Sequence, residues 1–306
     1  MGTVTDSLVR FKPARSRRLR GGEWVIVASG SEPLVVPEEI AHALASGATP
    51  TRPDFTALCG MMSEAGFVLT GRDATMTRLP SPPNTPAWTV ARRALWIVGF
   101  IMVVAAAVLL VKNGIPTGVD VIFAEVPPMV VVVLAIVIAV VTSVPHEFAH
   151  VLFGKTFYLN SGSVRLDPRR AVATTSLTHV WTWPLSSRMA AVSAGLVVDL
   201  CFLVIALAAR EATGSWFATV SVAVLLMRIV WQLRFHRNCD GRHIAKMLID
   251  NPMIEIETRQ AFKGDKAVTR VARLWGSLVV LGIAAELSLL VVWVGPAVLC
   301  AVGVIR

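Results

Sequence analysis

The sequence predicts a polytopic α-helical membrane protein of about five transmembrane helices, with a small N-terminal α/β domain of winged-helix-like type. Three observations predict this class. Of 306 residues, 55% are hydrophobic and only 16% are charged, a balance rare in a water-soluble domain of this size. Five stretches are apolar over roughly the 20 residues that a bilayer crossing takes. The first 90 residues contain no such stretch and mix polar with apolar positions, as a water-facing domain does. The expected division is 1–78 for that domain, 79–93 for a Pro-rich linker and 94–306 for the membrane part.

In the N-terminal part, "EWVIVAS" and "PLVV" read as paired strands around "GSE". "PEEIAHALASG" reads as a short helix: Pro37 stands near its start, acids fill its first turn and Gly47 follows its end. "DFTALCGMMSEAG" reads as a second helix, with Phe55, Leu58 and Met62 on one face and Gly66 at its end. "LPSPPNTP", 79–86, then links to the membrane. No cleavable signal peptide is expected, because the first long apolar stretch begins only at Ala94.

The expected spans are 94–111, 127–153, 190–209, 216–233 and 274–294. The short tail after Gly295-Pro296 has no assignment. Cationic residues alternate between the connecting segments. Arg92 and Arg93 precede the first span, five Lys or Arg lie in 154–189 and nine in 234–273. Segment 112–126 carries one Lys, and 210–215 carries one Arg. Lys and Arg stay on the cytoplasmic side, so the N-terminus and both basic loops are expected there, in a multi-pass protein of the cell membrane. The net charge of +9 is thereby explained without a nucleic-acid partner. Cys59, Cys201, Cys239 and Cys300 have neither metal nor disulfide spacing.

The second span ends in "PHEFAH", which contains His-Glu-x-x-His from His146 to His150. Residues four apart share a helix face, so both imidazoles can meet one ion, with Glu147 beside it as a general base. Ionisable groups within a span are costly and are functional by default. A catalytic zinc site needs a third protein ligand and an open position. Cytoplasmic candidates are His179, His236, His243 and Asp240, and "HRNCDGRHI", 236–244, follows the fourth span at the same membrane face as the motif. Asp240 is favoured because Gly241 permits a tight turn, and Cys239 and His243 remain competitors.

"HEFAH" at the end of one span, with "NCDGRHI" after a later one, resembles the site-2-protease class of intramembrane metallopeptidases over roughly residues 94–260. The resemblance implies that His146, His150 and Asp240 hold Zn2+ and that Glu147 is the catalytic base. Asn238, Arg242 or His243 would then contact the oxyanion or substrate. This chain departs from the class in having Asn-Cys-Asp-Gly, and in "AGLVVDL", where Leu196 and Asp199 replace Pro and Asn. Asp199 is equally readable as a buried polar contact to Arg228 or as balanced against Glu286.

Between motif and third span, "SVRLDPRRAVATTSLTHVWTW" predicts a hairpin turning at Asp167-Pro168. Its edge can add an extended substrate as a further strand, or it can simply shield the site. The N-terminal part, over about 15–70, resembles PqqD-like leader-recognition domains on "EWVIV", "PLVV", "EEIAHALASG" and "FTALCGMMSEAGFV". "ATPTRPD" leaves little room for the further helix those domains usually have. Both halves together resemble the daptide-type intramembrane metalloproteases of peptide biosynthesis. The implied activity is removal of the leader from a ribosomally made precursor peptide at the cytoplasmic membrane face. Two rivals remain: a regulatory protease cutting a transmembrane protein such as an anti-sigma factor, and a non-catalytic membrane partner that recruits or exports a peptide.

Overall fold

The computed structural model describes residues 10–46, 55–69, 79–122, 126–156, 164–167, 172–175, 177–264 and 267–301. Strands β1 (Ala14–Arg18), β2 (Trp24–Ala28) and β3 (Leu34–Val36) form one antiparallel sheet in the order β1-β2-β3. The β2–β3 pairing is the one expected, with Ile26 opposite Leu34. β1 was not expected: "ARSRR" has no apolar alternation, and its pairing with β2 sets Ser16 opposite Ile26. Helix α1 (Glu38–Ala45) follows Pro37 and carries Glu38 and Glu39 in its first turn, where the helix dipole favours acids. Helix α2 (Phe55–Glu64) ends at Gly66, whose φ of +84° suits a residue without Cβ. The expected face of Phe55 and Leu58 and the segment 48–54 lie outside the described residues, whereas Met62 is fully buried.

β2 is covered on both faces, which explains its unbroken apolar run. Ile26 and Ala28 pack with Ile40, Leu44, Met62 and Phe67. Val25 and Val27 turn the other way, into a core with Trp181, Trp183, Val192 and Met247. The expected linker takes part in this packing. Leu79 is buried in the second core, and the Pro80 carbonyl accepts from Arg15 Nη1 at 3.0 Å and Trp183 Nε1 at 3.1 Å. The start of the linker is thus a packed strap between the sheet and the helices.

Among the described residues, four helices are long and apolar enough to cross a membrane: α3 (Pro86–Asn113), α5 (Pro128–Gly154), α6 (Leu185–Thr213) and α10 (Arg270–Ala301, over its first 27 residues). They fit a multi-pass membrane protein. α3 and α5 each begin on proline, which has no amide hydrogen to leave unsatisfied. Rows of exposed valine, leucine and isoleucine on α3, α5 and α10 suit a lipid surround. α6 is the central helix: half of its apolar window is buried, against 11% in each of the other three. A short helix, α4 (Gly118–Ile122), joins α3 to α5 and packs against α10, which continues through Pro296 over the tail left unassigned.

The fifth expected span is a helix of 17 residues, α7 (Trp216–Gln232), below the length of the other four. Trp216 and Phe217 line an open apolar groove with Met129, Val133 and Val137 of α5, and at the other end the Gln232 side chain meets the backbone of Asp240. α7 therefore stops at the level of the His-Glu motif rather than at the end of α5. Two amphipathic helices follow, α8 (Asp240–Ile249) and α9 (Ile254–Lys263). The expected hairpin is present as β4 (Val164–Asp167) paired antiparallel with β5 (Val172–Thr175), and β5 lies against α5. Its turn at Pro168 lies outside the described residues.

Candidate metal centre

α5 presents His146 and His150 one turn apart, at 2% and 3% exposure. α6 runs antiparallel beside it and offers Ala191, Gly195 and Asp199, each four residues from the next and so on one face. Each of the three does a different thing. The Ala191 carbonyl accepts from His150 Nδ1 at 2.8 Å. The Asp199 carboxylate lies 2.9 Å from His146 Nδ1. Gly195 leaves room for the rings: a Cβ there would sit 2.4 Å from His150 Nε2 and 2.6 Å from His146 Nε2. With both Nδ1 atoms held on oxygen, both Nε2 atoms are left to face the same point.

The third donor comes from the first residue of α8. Asp240 Oδ2 lies 3.0 Å from His150 Nε2 and 3.1 Å from His146 Nε2, and the two Nε2 atoms are 3.3 Å apart. Donors held about 2.0–2.1 Å from one tetrahedral ion stand about 3.3 Å from each other, so this triangle fits a transition-metal ion. His146, His150 and Asp240 form a group of His, Cys and acidic side chains able to hold a metal among the described residues. Burial on its own would raise the Asp240 carboxyl. Hydrogen bonds with His146 and His150 outweigh that, and the carboxyl lies below its ordinary range, ionised as a ligand must be.

Gly241 acts differently from the expectation. It has no left-handed backbone and belongs to α8. A Cβ on it would lie 2.4 Å from the Gln232 carbonyl oxygen, so its role is to let α8 start hard against the end of α7. Three of the competing residues have other partners. Cys239 Sγ donates to the Arg234 carbonyl at 3.0 Å, and burial raises its thiol pKa. His179 Nε2 donates to the Gly154 carbonyl at 2.7 Å, and His236 Nε2 pairs with Glu286 at 2.9 Å. His243 is exposed on α8.

Of the expected oxyanion contacts, Arg242 is turned away from the triad: it bonds Glu255 with both arms of its guanidinium and Asn238 Oδ1 at 2.6 Å. Glu147, half-buried, is the next residue of α5 after His146. Asp199 has the expected partner Arg228, whose Nε donates at 2.9 Å, while Glu286 bonds Arg234 and His236 instead. Arg228 also donates from Nη1 to Ser143 Oγ at 2.5 Å and to the Ala139 carbonyl at 3.2 Å, tying α7 to the turn of α5 before the motif. The contact from Asp199 to His146 and the space at Gly195 were not foreseen. Their four-residue spacing from Ala191 was the available signal, hidden because small and apolar residues at that spacing are common in packed helices. Comparisons with protein-family models, with curated proteins and with solved structures give no match.

Proposed function

We propose that this chain is a zinc-dependent membrane endopeptidase, with His146, His150 and Asp240 as the zinc ligands and Glu147 as general base. The single observation that carries the reading is the meeting of three donor atoms within 3.3 Å of one another, from helices far apart in sequence, with both imidazoles oriented through their Nδ1 atoms. Two imidazoles and one carboxylate form a donor set suited to zinc and leave one position open. A zinc ion held there would supply polarisation of the scissile carbonyl and a more acidic water.

The residues of the chain do the rest. Ala191 and Asp199 fix the imidazole tautomers. A Glu147 carboxylate oxygen takes the proton as the water oxygen adds to the scissile carbonyl carbon. The same proton then passes to the amine nitrogen as the C–N bond breaks. β5 beside α5, and β3 at the edge of its sheet among the described residues, offer extended backbone to a peptide. On this reading the substrate is a ribosomally made precursor peptide that loses its leader. The excess of Lys and Arg in the loops supports a location of the N-terminal sheet and the metal centre on the cytoplasmic side of the cell membrane.

The test is a Glu147→Gln variant co-expressed with a precursor peptide. It keeps stoichiometric zinc by metal analysis and loses all cleavage. Zinc retention with undiminished cleavage removes the enzymatic reading and leaves a metal-stabilised recruiting partner. Cleavage of a transmembrane protein in preference to the peptide redirects it to a regulatory protease.

A further inference from the structure

Asp250 ends α8 with a left-handed backbone, φ +62°, unusual for a residue with a side chain, and is 4% exposed. Its carboxylate gathers four donors from two distant parts of the chain. Arg17 Nη1 and Nη2 reach it at 3.2 and 2.7 Å, the Arg20 backbone N–H at 3.0 Å, and Arg188 Nη1 at 2.6 Å. Arg17 also donates from Nε to the Trp181 carbonyl at 2.8 Å. The cluster joins the N-terminal sheet through β1, the central helix α6, and the far end of the helix whose first residue is Asp240.

Both helices leaving this cluster lead to the metal centre. Along α8, ten residue steps or about 15 Å of helix separate Asp250 from Asp240. Along α6, Arg188 stands one turn before Ala191, the carbonyl partner of His150. The start of α8 has no side-chain cap to set its direction. The helix is held along its length by Arg242 and Lys246 on Glu255, by Ala245 against Trp275 and by Gly241 against Gln232, and at its far end by Met247 in the core shared with Val25 and Val27 and by Asp250. A short helix is a stiff rod, so releasing one end tilts the other. Metal donors must be held within a fraction of an ångström to act together.

We infer that Arg17 and Asp250 are positioning residues of the metal centre, so that docking of the N-terminal sheet sets the reach of Asp240. This rests on the reading of His146, His150 and Asp240 as metal ligands, but not on peptidase activity. The N-terminal domain is then a working part of the site, beyond any part it has in holding a peptide.

The experiment uses the full chain in detergent with Co2+ and Zn2+ as probes. Cobalt reports its ligand geometry in the visible spectrum, and zinc affinity is read by chelator competition. Arg17→Gln lowers zinc affinity by about tenfold or more, as loss of outer support to ligands does, and changes the cobalt spectrum. Arg17→Lys, which keeps charge but not the two-armed contact, falls between. Arg15→Gln loses only the contacts to Pro80 and Ser81 and leaves both readouts unchanged. An Arg17→Gln protein with unaltered zinc affinity and spectrum overturns the inference. If that variant does not fold, Arg17→Lys against Arg15→Gln is read in the same way. Should the unaltered chain bind neither ion, the ligand reading itself falls, and this inference with it.

Discussion

The Asp199 carboxylate, with no surface open to solvent, lies 2.9 Å from His146 Nδ1 and receives Arg228 Nε at the same distance. One oxygen, Oδ2, serves both partners. This acid therefore orients one imidazole and balances a cation that would otherwise stand alone among apolar helices. Asp199→Asn is expected to weaken zinc binding 10- to 100-fold, because the amide no longer fixes the ring as strongly. Chelator competition on purified protein checks it. Affinity within twofold of the unaltered chain would show that His146 needs no such support.

Gly195 admits no side chain. A methyl group there would enter both imidazoles, at 2.4 and 2.6 Å. Helix propensity favours alanine over glycine by about 1 kcal/mol, so any loss comes from the clash with the rings rather than from the helix itself. Gly195→Ala is expected to abolish metal binding. Gly276→Ala, whose Cβ would lie 3.4 Å from the Phe262 ring, is the matched substitution that leaves binding intact. Metal content per chain after gel filtration distinguishes the two.

Asp240 and Cys239 are neighbours with different duties. Asp240→Ala removes a donor and is expected to leave two ligands and little affinity, whereas Cys239→Ser keeps the metal, since its Sγ is turned to the Arg234 carbonyl. A Cys239→Ser protein that loses zinc as completely as Asp240→Ala would contradict the ligand set.

His179 predicts a pH dependence. It is buried, and burial pushes its pKa down from 6.5 to about 4, against a smaller raising effect from its bond to the Gly154 carbonyl. Between these values the unfolded chain binds the proton and the folded chain does not. Stability contributed by the neutral ring is therefore complete above pH 6.5 and falls as the pH drops towards 4, by about 3 kcal/mol at most. His179→Gln keeps a donor for Gly154 and should flatten that part of the profile. Thermal unfolding at pH 7, 6, 5 and 4 measures the difference in slope, and parallel profiles would exclude His179 as the source.

Features that depend on local periodicity are legible in the residues alone. The four-residue spacing of His146 and His150, the apolar lengths of α3, α5, α6 and α10, and the paired strands β2 and β3 are all set by backbone geometry over a few turns. The sequence also pointed to the short segment 236–244 as the source of a third donor, since that segment follows a span at the same membrane face as the motif. It did not reveal β1, because "ARSRR" has no apolar pattern: its arginines serve Asp250, Trp181 and Pro80, which lie far along the chain.

The tertiary structure is what brings Asp240, rather than Cys239 or His243, to the two imidazoles, and what sets Gly195 and Asp199 against them. Those choices depend on which face of α6 meets α5, and on where α8 starts against α7. Both are matters of packing between segments up to 90 residues apart, such as His150 and Asp240. Helical repeats state which residues share a face. They do not state which face another helix will cover.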